Sequence, residues 1–358
     1  MPRSSDSETC AKDAGPNEMF DTVHARMLHL FPELATSLGG DADALLTRAG
    51  ILAGDQADTP MHPTYTRTGI LLELAAQELD CSDFGMRLAQ AQGGGLFGPL
   101  GIAMRNSRTF GDALDYVRTH SYAHSLASRI QPHRQPEDGS IFVSHEVLLD
   151  GIAGRSQLME QMLLVGHLIA MEMTGGLARA RQINFRHQAI SSPKTYRRYF
   201  GCEVRFGQNQ DGCVFPEAAF AAPIVNPDAE AYRAVTAFID ESFTQHSPPL
   251  QAQVRGLVMQ YLGAEDCSNE RIAEELNLHP RTLHRRLKEQ GTAFQKIKDE
   301  VRRDLMAYYL RQTDLDFAHI SERLGFAEQS VFTRSCNRWL AASPSRIRAE
   351  GRRPNAMA

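Results

Sequence analysis

One pattern of residues occurs twice in the C-terminal part of the chain, 48 positions apart, and this repeat restricts the fold more than any other feature. Ile272, Leu276, Asn277 and Leu278 return as Ile320, Leu324, Gly325 and Phe326, while Thr282 and Arg286 return as Ser330 and Arg334. In each copy a residue suited to positive φ, Asn277 or Gly325, separates two short stretches with helical apolar spacing. Ser268 is placed to cap the helix before Asn277, and His279-Pro280 opens the next one, since proline fits a first turn. Any helical hairpin could produce one copy. Two copies at a fixed offset, each followed by an Arg-bearing helix, fit a double helix-turn-helix.

Between the copies, Phe294, Ile297, Val301, Leu305 and Tyr308 hold one apolar face and predict a helix ending near Arg311-Gln-Thr-Asp. About 18 residues make a rod of roughly 27 Å. Such a rod would set two helices in successive major grooves, about 34 Å apart on duplex DNA. Upstream, Leu250, Val254, Leu257, Val258, Tyr261 and Leu262 mark another amphipathic helix. His246-Ser-Pro-Pro249 cannot continue a helix and reads as a linker. The expected organisation is a tail over 1–17, one domain over 18–245, the linker over 246–249 and the duplicated domain over 250–350.

Charge follows the same division. The net charge of the 358-residue chain is −5. From Leu250 onward there are 18 Lys and Arg against 14 Asp and Glu, a balance of +4, which leaves −9 on the remainder. An acidic body with a basic C-terminal part directs only the latter toward a polyanion. The composition, 42 % apolar and 23 % charged, excludes a mostly disordered chain, a fibre and a disulfide miniprotein. No apolar run reaches a membrane span, because Glu160, Gln161, His167 and Glu172 interrupt the longest candidate. The first residues carry no apolar signal-peptide core, and the six cysteines show no Cys-x-x-Cys spacing. A cytoplasmic protein with reduced thiols and no membrane partner is therefore expected.

The N-terminal part alternates less regularly. Helices are predicted over 18–31, 41–49, 66–79 and 156–173, and another leads from the 102–114 segment to about Leu126. Strands are predicted over 128–132, 140–148 and 182–186, and 203–206 with 212–215 reads as a hairpin across Gly207 to Asp211. The glycine-rich stretch 93–101 lacks the Lys-Ser/Thr of a phosphate loop and reads as a turn between helices. The predicted fold class is an α+β domain, then an all-α domain with two helix-turn-helix motifs joined by a long helix.

Two longer stretches make the sequence recognisable. Ile320-Ser-Glu-Arg-Leu-Gly-Phe-Ala-Glu-Gln-Ser-Val-Phe-Thr-Arg-Ser-Cys-Asn-Arg-Trp339, with Ser343-Pro344-Ser-Arg-Ile-Arg348, resembles the signature of AraC/XylS-type transcription regulators. His279-Pro-Arg-Thr-Leu-His-Arg-Arg-Leu287 is similar to that family's first recognition helix. The resemblance covers about 100 residues. The sequence departs from the family pattern at Ala341, where glycine is common, and at Cys336 and Ile347, where aromatics are common. In the N-terminal half, Gly98, Gly101, Met104, Ser107 and Thr109 with Ala113-Leu114, then 199–206, Phe215-Pro216 and Ala222-Pro223, resemble the arabinose-binding-type domain. That domain occurs in regulators similar to those of ornithine and other amino-acid or organic-acid catabolism. The resemblance implies an effector-binding domain able to dimerise. It does not name the ligand.

Arg281, His284 and Arg285 share the outer face of the first recognition helix, with Leu283 and Leu287 facing inward. The resemblance implies that these three touch base edges. An arginine bidentate to guanine is worth roughly 1–3 kcal/mol of discrimination. In the second copy Gln329, Thr333 and Arg334 are assigned the corresponding face, with Val331 and Phe332 in the core. Glutamine can pair with adenine, and Arg334 suits either a base or a phosphate. Arg286, Lys288, Lys296, Arg338 and Arg346 are the phosphate candidates, and Trp339 is assigned to the core.

Rival chemistries are weaker. His120 and His124 have i, i+4 metal spacing without an obvious third ligand, so no metal site and no cofactor are assigned. No cysteine lies in the Pro-Cys-His setting of an alkyltransferase, and no catalytic triad or carboxylate pair stands out. The expectation is a regulator rather than an enzyme, with promoter or operator DNA and a small-molecule effector as partners. RNA polymerase and a second copy of the chain are further candidate partners. The alternative is an enzyme or metal-sensing domain fused to a DNA-binding module.

Overall fold

Short polar side chains start many of the helices. Asp41, Thr64 and Ser192 accept hydrogen bonds from the backbone N–H groups of Ala44, Arg67 and Thr195 at 3.0, 3.1 and 3.2 Å. Such caps satisfy donors that a helix N-terminus otherwise leaves open. The computed structural model describes residues 27–51, 63–120, 124–125, 127–135, 138–147, 155–245, 250–263 and 267–351. The predicted linker 246–249 and the two tails, 1–17 and beyond 351, lie outside the described residues.

The N-terminal helices are α1 (Phe31–Ser37), α2 (Ala42–Arg48), α3 (Tyr65–Glu78), α4 (Phe84–Gln92), α5 (Gly98–Arg105) and α6 (Phe110–His120). The first part of the glycine-rich stretch forms a short 3-10 turn, Gly93–Phe97, between α4 and α5, whereas 98–101, expected in the same turn, opens α5. Strands β1 (Ser128–Arg134) and β2 (Ile141–Val147) follow, then the long helix α7 (Arg155–Met173). After it come β3 (Gln182–Asn184), α8 (Pro193–Phe200), β4 (Glu203–Arg205), β5 (Gly212–Phe215), α9 (Glu217–Phe220) and α10 (Ala229–Gln245). The sheet has the order β1-β2-β5-β3-β4. Every pairing is antiparallel except β3 with β4.

An N-terminal strand pairing and a helix start need correction. The predicted hairpin of 203–206 with 212–215 does not form. β3 lies between the two strands, pairing with β5 on one side and parallel to β4 on the other, so the 207–211 loop crosses over β3. The helix expected to lead from the 102–114 segment toward Leu126 forms as α6, Phe110–His120, behind an irregular stretch at 106–109. There Thr109 bridges to Pro223, Phe110 N–H donates to Ala222 O at 3.0 Å, and the Thr109 hydroxyl caps Asp112 at 3.1 Å. The helix expected over 18–31 falls largely outside the described residues. Within them, 27–30 is a turn, and the helix opens at Phe31 with proline in its first turn.

The C-terminal region is helical throughout. It contains α11 (Leu250–Tyr261), α12 (Asn269–Glu275), α13 (Pro280–Glu289), α14 (Phe294–Gln312), α15 (Phe317–Arg323), α16 (Gln329–Leu340) and α17 (Pro344–Gly351). Apolar side chains form two large clusters, one drawn from residues 27–224 and the other from 254–347. α14 is the axis of the second cluster, burying Ile297, Val301, Leu305, Tyr308 and Tyr309 against α11, α16 and α17. Cys336 and Ile347, the residues in place of aromatics, are both buried. Trp339 is only half-buried, packed against Phe326 at 6.2 Å between centroids with the Arg338 guanidinium over its ring. Val331 is likewise only partly covered, whereas Phe332 is fully buried.

Candidate nucleic-acid interface

The two turns repeat bond for bond. Asn277 and Gly325 take φ of 52° and 64°. Leu276, Asn277 and Leu278 donate to the carbonyls of Ile272, Glu274 and Ala273. Leu324, Gly325 and Phe326 donate to those of Ile320, Glu322 and Ser321. Each pair is 48 positions apart. Arg302 of α14 fastens the second turn from outside, donating to Leu324 O at 2.9 Å and Gly325 O at 2.6 Å.

Beyond the turns the register slips by one. His279 caps α13, its Nδ1 accepting from Arg281 N–H at 3.2 Å, and proline starts the helix. The corresponding cap of α16 is Glu328 rather than Ala327. The buried faces show the slip. Leu283 and Leu287 are matched by Phe332 and Cys336, all fully buried. The pairing of Thr282 with Ser330 and of Arg286 with Arg334 at an offset of 48 is therefore corrected. Arg281 corresponds to Ser330, His284 to Thr333 and Arg285 to Arg334. Ser330 is the outward residue that sequence matching left out, and its hydroxyl donates to Glu328 at 3.0 Å.

Arg281, His284, Arg285, Arg286 and Lys288 all lie exposed on α13. Arg285 comes only within 3.9 Å of Glu289, too far for a hydrogen bond, so its guanidinium donors remain open. Gln329 and Arg334 are exposed on α16. Thr333 is partly covered, and its hydroxyl donates to Gln329 O at 3.0 Å, so it is committed locally. Among the phosphate candidates, Lys296 and Arg338 are exposed, and Arg346 is exposed but paired with Glu350 at 2.9 Å. Three other cations of the region are engaged within the protein. Arg348 donates to Leu315 O, Lys298 to Cys267 O, and Arg271 pairs with Glu274 and Glu275.

A buried polar seam joins this region to the sheet. Glu146 of β2 accepts from Tyr309 OH at 3.1 Å, Arg323 at 3.4 Å and Gln210 at 2.9 Å. Arg155 donates to Asp211 at 3.4 Å and to Tyr308 OH at 3.2 Å, and Arg186 reaches the same hydroxyl at 3.4 Å. Arg129 donates to Leu262 O at 3.3 Å. Gly263 packs so close that an added Cβ would meet Arg323 O at 2.5 Å, and its φ is 83°. Burial, with the nearby Arg323 guanidinium adding to it, pushes the His133 imidazole down to about 4, so it is neutral at pH 7.

The chain matches the family described as the arabinose-binding domain of AraC transcription regulators, N-terminal, over residues 39–224, and a helix-turn-helix domain family over 272–350. It is 32 % identical to the HTH-type transcriptional regulator VirS of Mycobacterium tuberculosis, over 93 % of this chain and 98 % of that protein. The chain belongs to the AraC-type transcription regulators. It is also 25 % identical to the ornithine utilization regulator of Pseudomonas aeruginosa, over 77 % of this chain and 82 % of that one. The crystal structure of the transcriptional regulator CdpR from Pseudomonas aeruginosa is similar over 89 % of this chain and 98 % of that chain, at 19 % identity and a TM-score of 0.44.

This AraC-type regulator is thus a helix-turn-helix DNA-binding protein with an effector-type N-terminal domain. Three of the described thiols are poor nucleophiles. Burial pushes Cys81, Cys202 and Cys336 up to about 11, the opposite of a reactive thiolate. The two histidines with metal spacing go to different partners. His120 stacks on Tyr116 at 4.0 Å, whereas His124 bonds to Tyr65 OH at 2.7 Å. No group of three metal-ligating side chains occurs among the described residues, and no helix among them is long and apolar enough to cross a membrane.

Proposed function

We propose that the two readers engage adjacent major grooves on one face of the DNA, and that a small metabolite bound in the N-terminal domain controls them from the cytoplasm. The observation carrying this reading is the open cationic face of α13, set by the turn that recurs at α16. Arg281, His284 and Arg285 contact base edges, and Arg286, Lys288 and Lys296 hold phosphates. On α16, Gln329, Arg334 and, by the corrected register, Ser330 face the second groove, with Thr333 a lesser contributor. Arg338 and Arg346 lie toward phosphate there. The α14 helix, 19 residues and about 28 Å long, supports this spacing. The chain divides at the 246–249 linker, with the effector domain before it and the reader after it.

Control requires the effector to favour one arrangement of the readers over another. The seam supports this, since it grips α14 and α15 directly. Selection of sites from a random DNA pool, repeated with Arg281→Ala and Arg334→Ala, tests the reading. Each substitution should relax the preference at different base pairs about one helical turn apart. Unchanged preferences in both variants would refute the assignment.

A further inference from the structure

Resting on the reading that a metabolite controls the readers, we infer that Glu160, with His187, Tyr196, Phe185 and Phe206, forms the site that receives the positively charged end of a small organic cation, an amine or guanidine. Glu160 projects from α7 into the N-terminal interior and is fully buried. Its Oε1 accepts from Tyr196 OH at 2.5 Å, but its Oε2 has no partner among the described residues. His187 Nε2 stands 3.7 Å from Oε1, beyond hydrogen-bond distance, and is also unpartnered, while its Nδ1 lies 2.7 Å from Gln188 O. A buried polar atom left unpaired is costly, so two such atoms on neighbouring side chains, Glu160 Oε2 and His187 Nε2, mark a place built for a further polar group.

The surroundings select the sign of the ligand. The two rings nearest the carboxyl, Tyr196 and His187, belong to an aromatic cluster: Phe185 lies 4.8 Å from His187 and stacks on Phe206 at 5.8 Å, and Tyr196 meets Phe206 edge-on at 4.8 Å. Aromatic faces beside a carboxylate are the chemistry that holds ammonium groups. Glu73 on α3 and Asp83 before α4 add negative potential at Glu160, and Glu73 Oε2 is unpartnered too. Asp83 is already occupied by Arg87, Arg198 and Tyr199, and Arg155 is a neighbouring cation felt by His187 rather than by Glu160. Burial pushes the Glu160 carboxyl up to about 8, so it is mostly protonated at pH 7 without ligand. An arriving ammonium takes the place of that proton, which leaves to solvent. An anionic group would meet Glu160, Glu73 and Asp83 together.

The same two segments reach the readers. α7 carries both Arg155 and Glu160, and the segment after β3 carries both Arg186 and His187. Arg155 and Arg186 both donate to the Tyr308 hydroxyl of α14. A cation seated between Glu160 and His187 therefore acts on the neighbours of the two arginines that hold the connecting helix.

The test uses full-length protein with n-butylammonium, n-butanol and n-butyrate as probes, read by thermal shift and, in parallel, by footprinting on a selected DNA site. Butylammonium should raise Tm saturably and the other two should not. Glu160→Gln should weaken that response at least tenfold, and His187→Gln, which leaves the carboxyl in place, severalfold. Equal responses to butanol, an undiminished response in both variants, or no amine response at tens of millimolar would overturn the site. A Glu160-dependent amine response that leaves the footprint unchanged upholds the site but sinks the control reading. A footprint change caused by a compound indifferent to Glu160 upholds control and overturns the site.

Discussion

The two helix-turn-helix units share one backbone turn but differ in what holds them. The first, residues 268–289, makes no hydrogen bond or ion pair to the N-terminal region among the described residues, and its recognition helix is crowded with exposed cations. The second is clamped. Arg323 closes α15 onto Glu146 and Gln210, and the adjoining α14 tyrosines meet Glu146, Arg155 and Arg186. Duplication thus supplies two similar surfaces, and only the second is bonded to the N-terminal region among the described residues. On the proposed reading the first unit would hold DNA at all times and the second would be moved.

The largest effect should follow from the charge difference. Removing Arg281 and Arg285 together should lower affinity for the selected site by about a hundredfold, whereas Arg334→Ala should cost about tenfold, measured by titration at fixed near-physiological salt. Equal losses would erase the distinction between the readers. The clamp gives the next effect. Glu146→Gln weakens the acceptor for Arg323 inside a buried seam. It should change protection of the second half-site severalfold and leave the first half-site as it was.

A third expectation concerns buried groups of the N-terminal domain, which the exposed readers lack. Burial raises Glu160 to about 8 from an ordinary 4.5, so the folded state holds the extra proton between those values. Its contribution is complete below about 4.5 and is lost as pH rises through 8. Burial lowers His145 and His167 to about 4 from 6.5, so their contribution is complete above about 6.5 and is lost as pH falls toward 4. Denaturant unfolding between pH 5 and 8 should therefore show an alkaline decline that Glu160→Gln removes while the acid limb stays. The decline is a few kcal/mol at most. Its survival in the variant would remove Glu160 as the cause.

The smallest effect lies at the end of α16. Ala341 has a φ of 55°, a conformation that strains an L-residue by about 1 kcal/mol. Ala341→Gly should stabilise the protein by somewhat less than that, seen as a small rise in denaturation midpoint, because glycine loses more freedom on folding. A fall would show the left-handed cap is not strained.

Local signals were legible in the sequence and distant ones were not. Positive φ at Asn277 and Gly325, the apolar face of α14 and the starts of α2, α3, α7, α12 and α13 follow from residues a few positions apart, whereas α4 and α8 go unpredicted. The slip of one residue in α16 was hidden because Ala327-Glu328 carries no proline to mark the cap, unlike His279-Pro280. The false hairpin arose because 203–206 and 212–215 have hairpin spacing, and nothing local reveals β3 entering between them. Glu146 and Tyr309 meet across 163 positions, and no periodicity in either segment announces it. In the sequence Glu160 is only an interruption in an apolar run, although a buried carboxyl of that kind needs a partner or a purpose.

The central claim is two DNA readers, one fixed and one adjustable. Footprinting the wild-type protein and Glu146→Gln on a selected site tests it most directly. The account predicts two protected major-groove patches about one turn apart, with only the patch read by α16 altered in the variant. A single patch, or equal change in both, would contradict it.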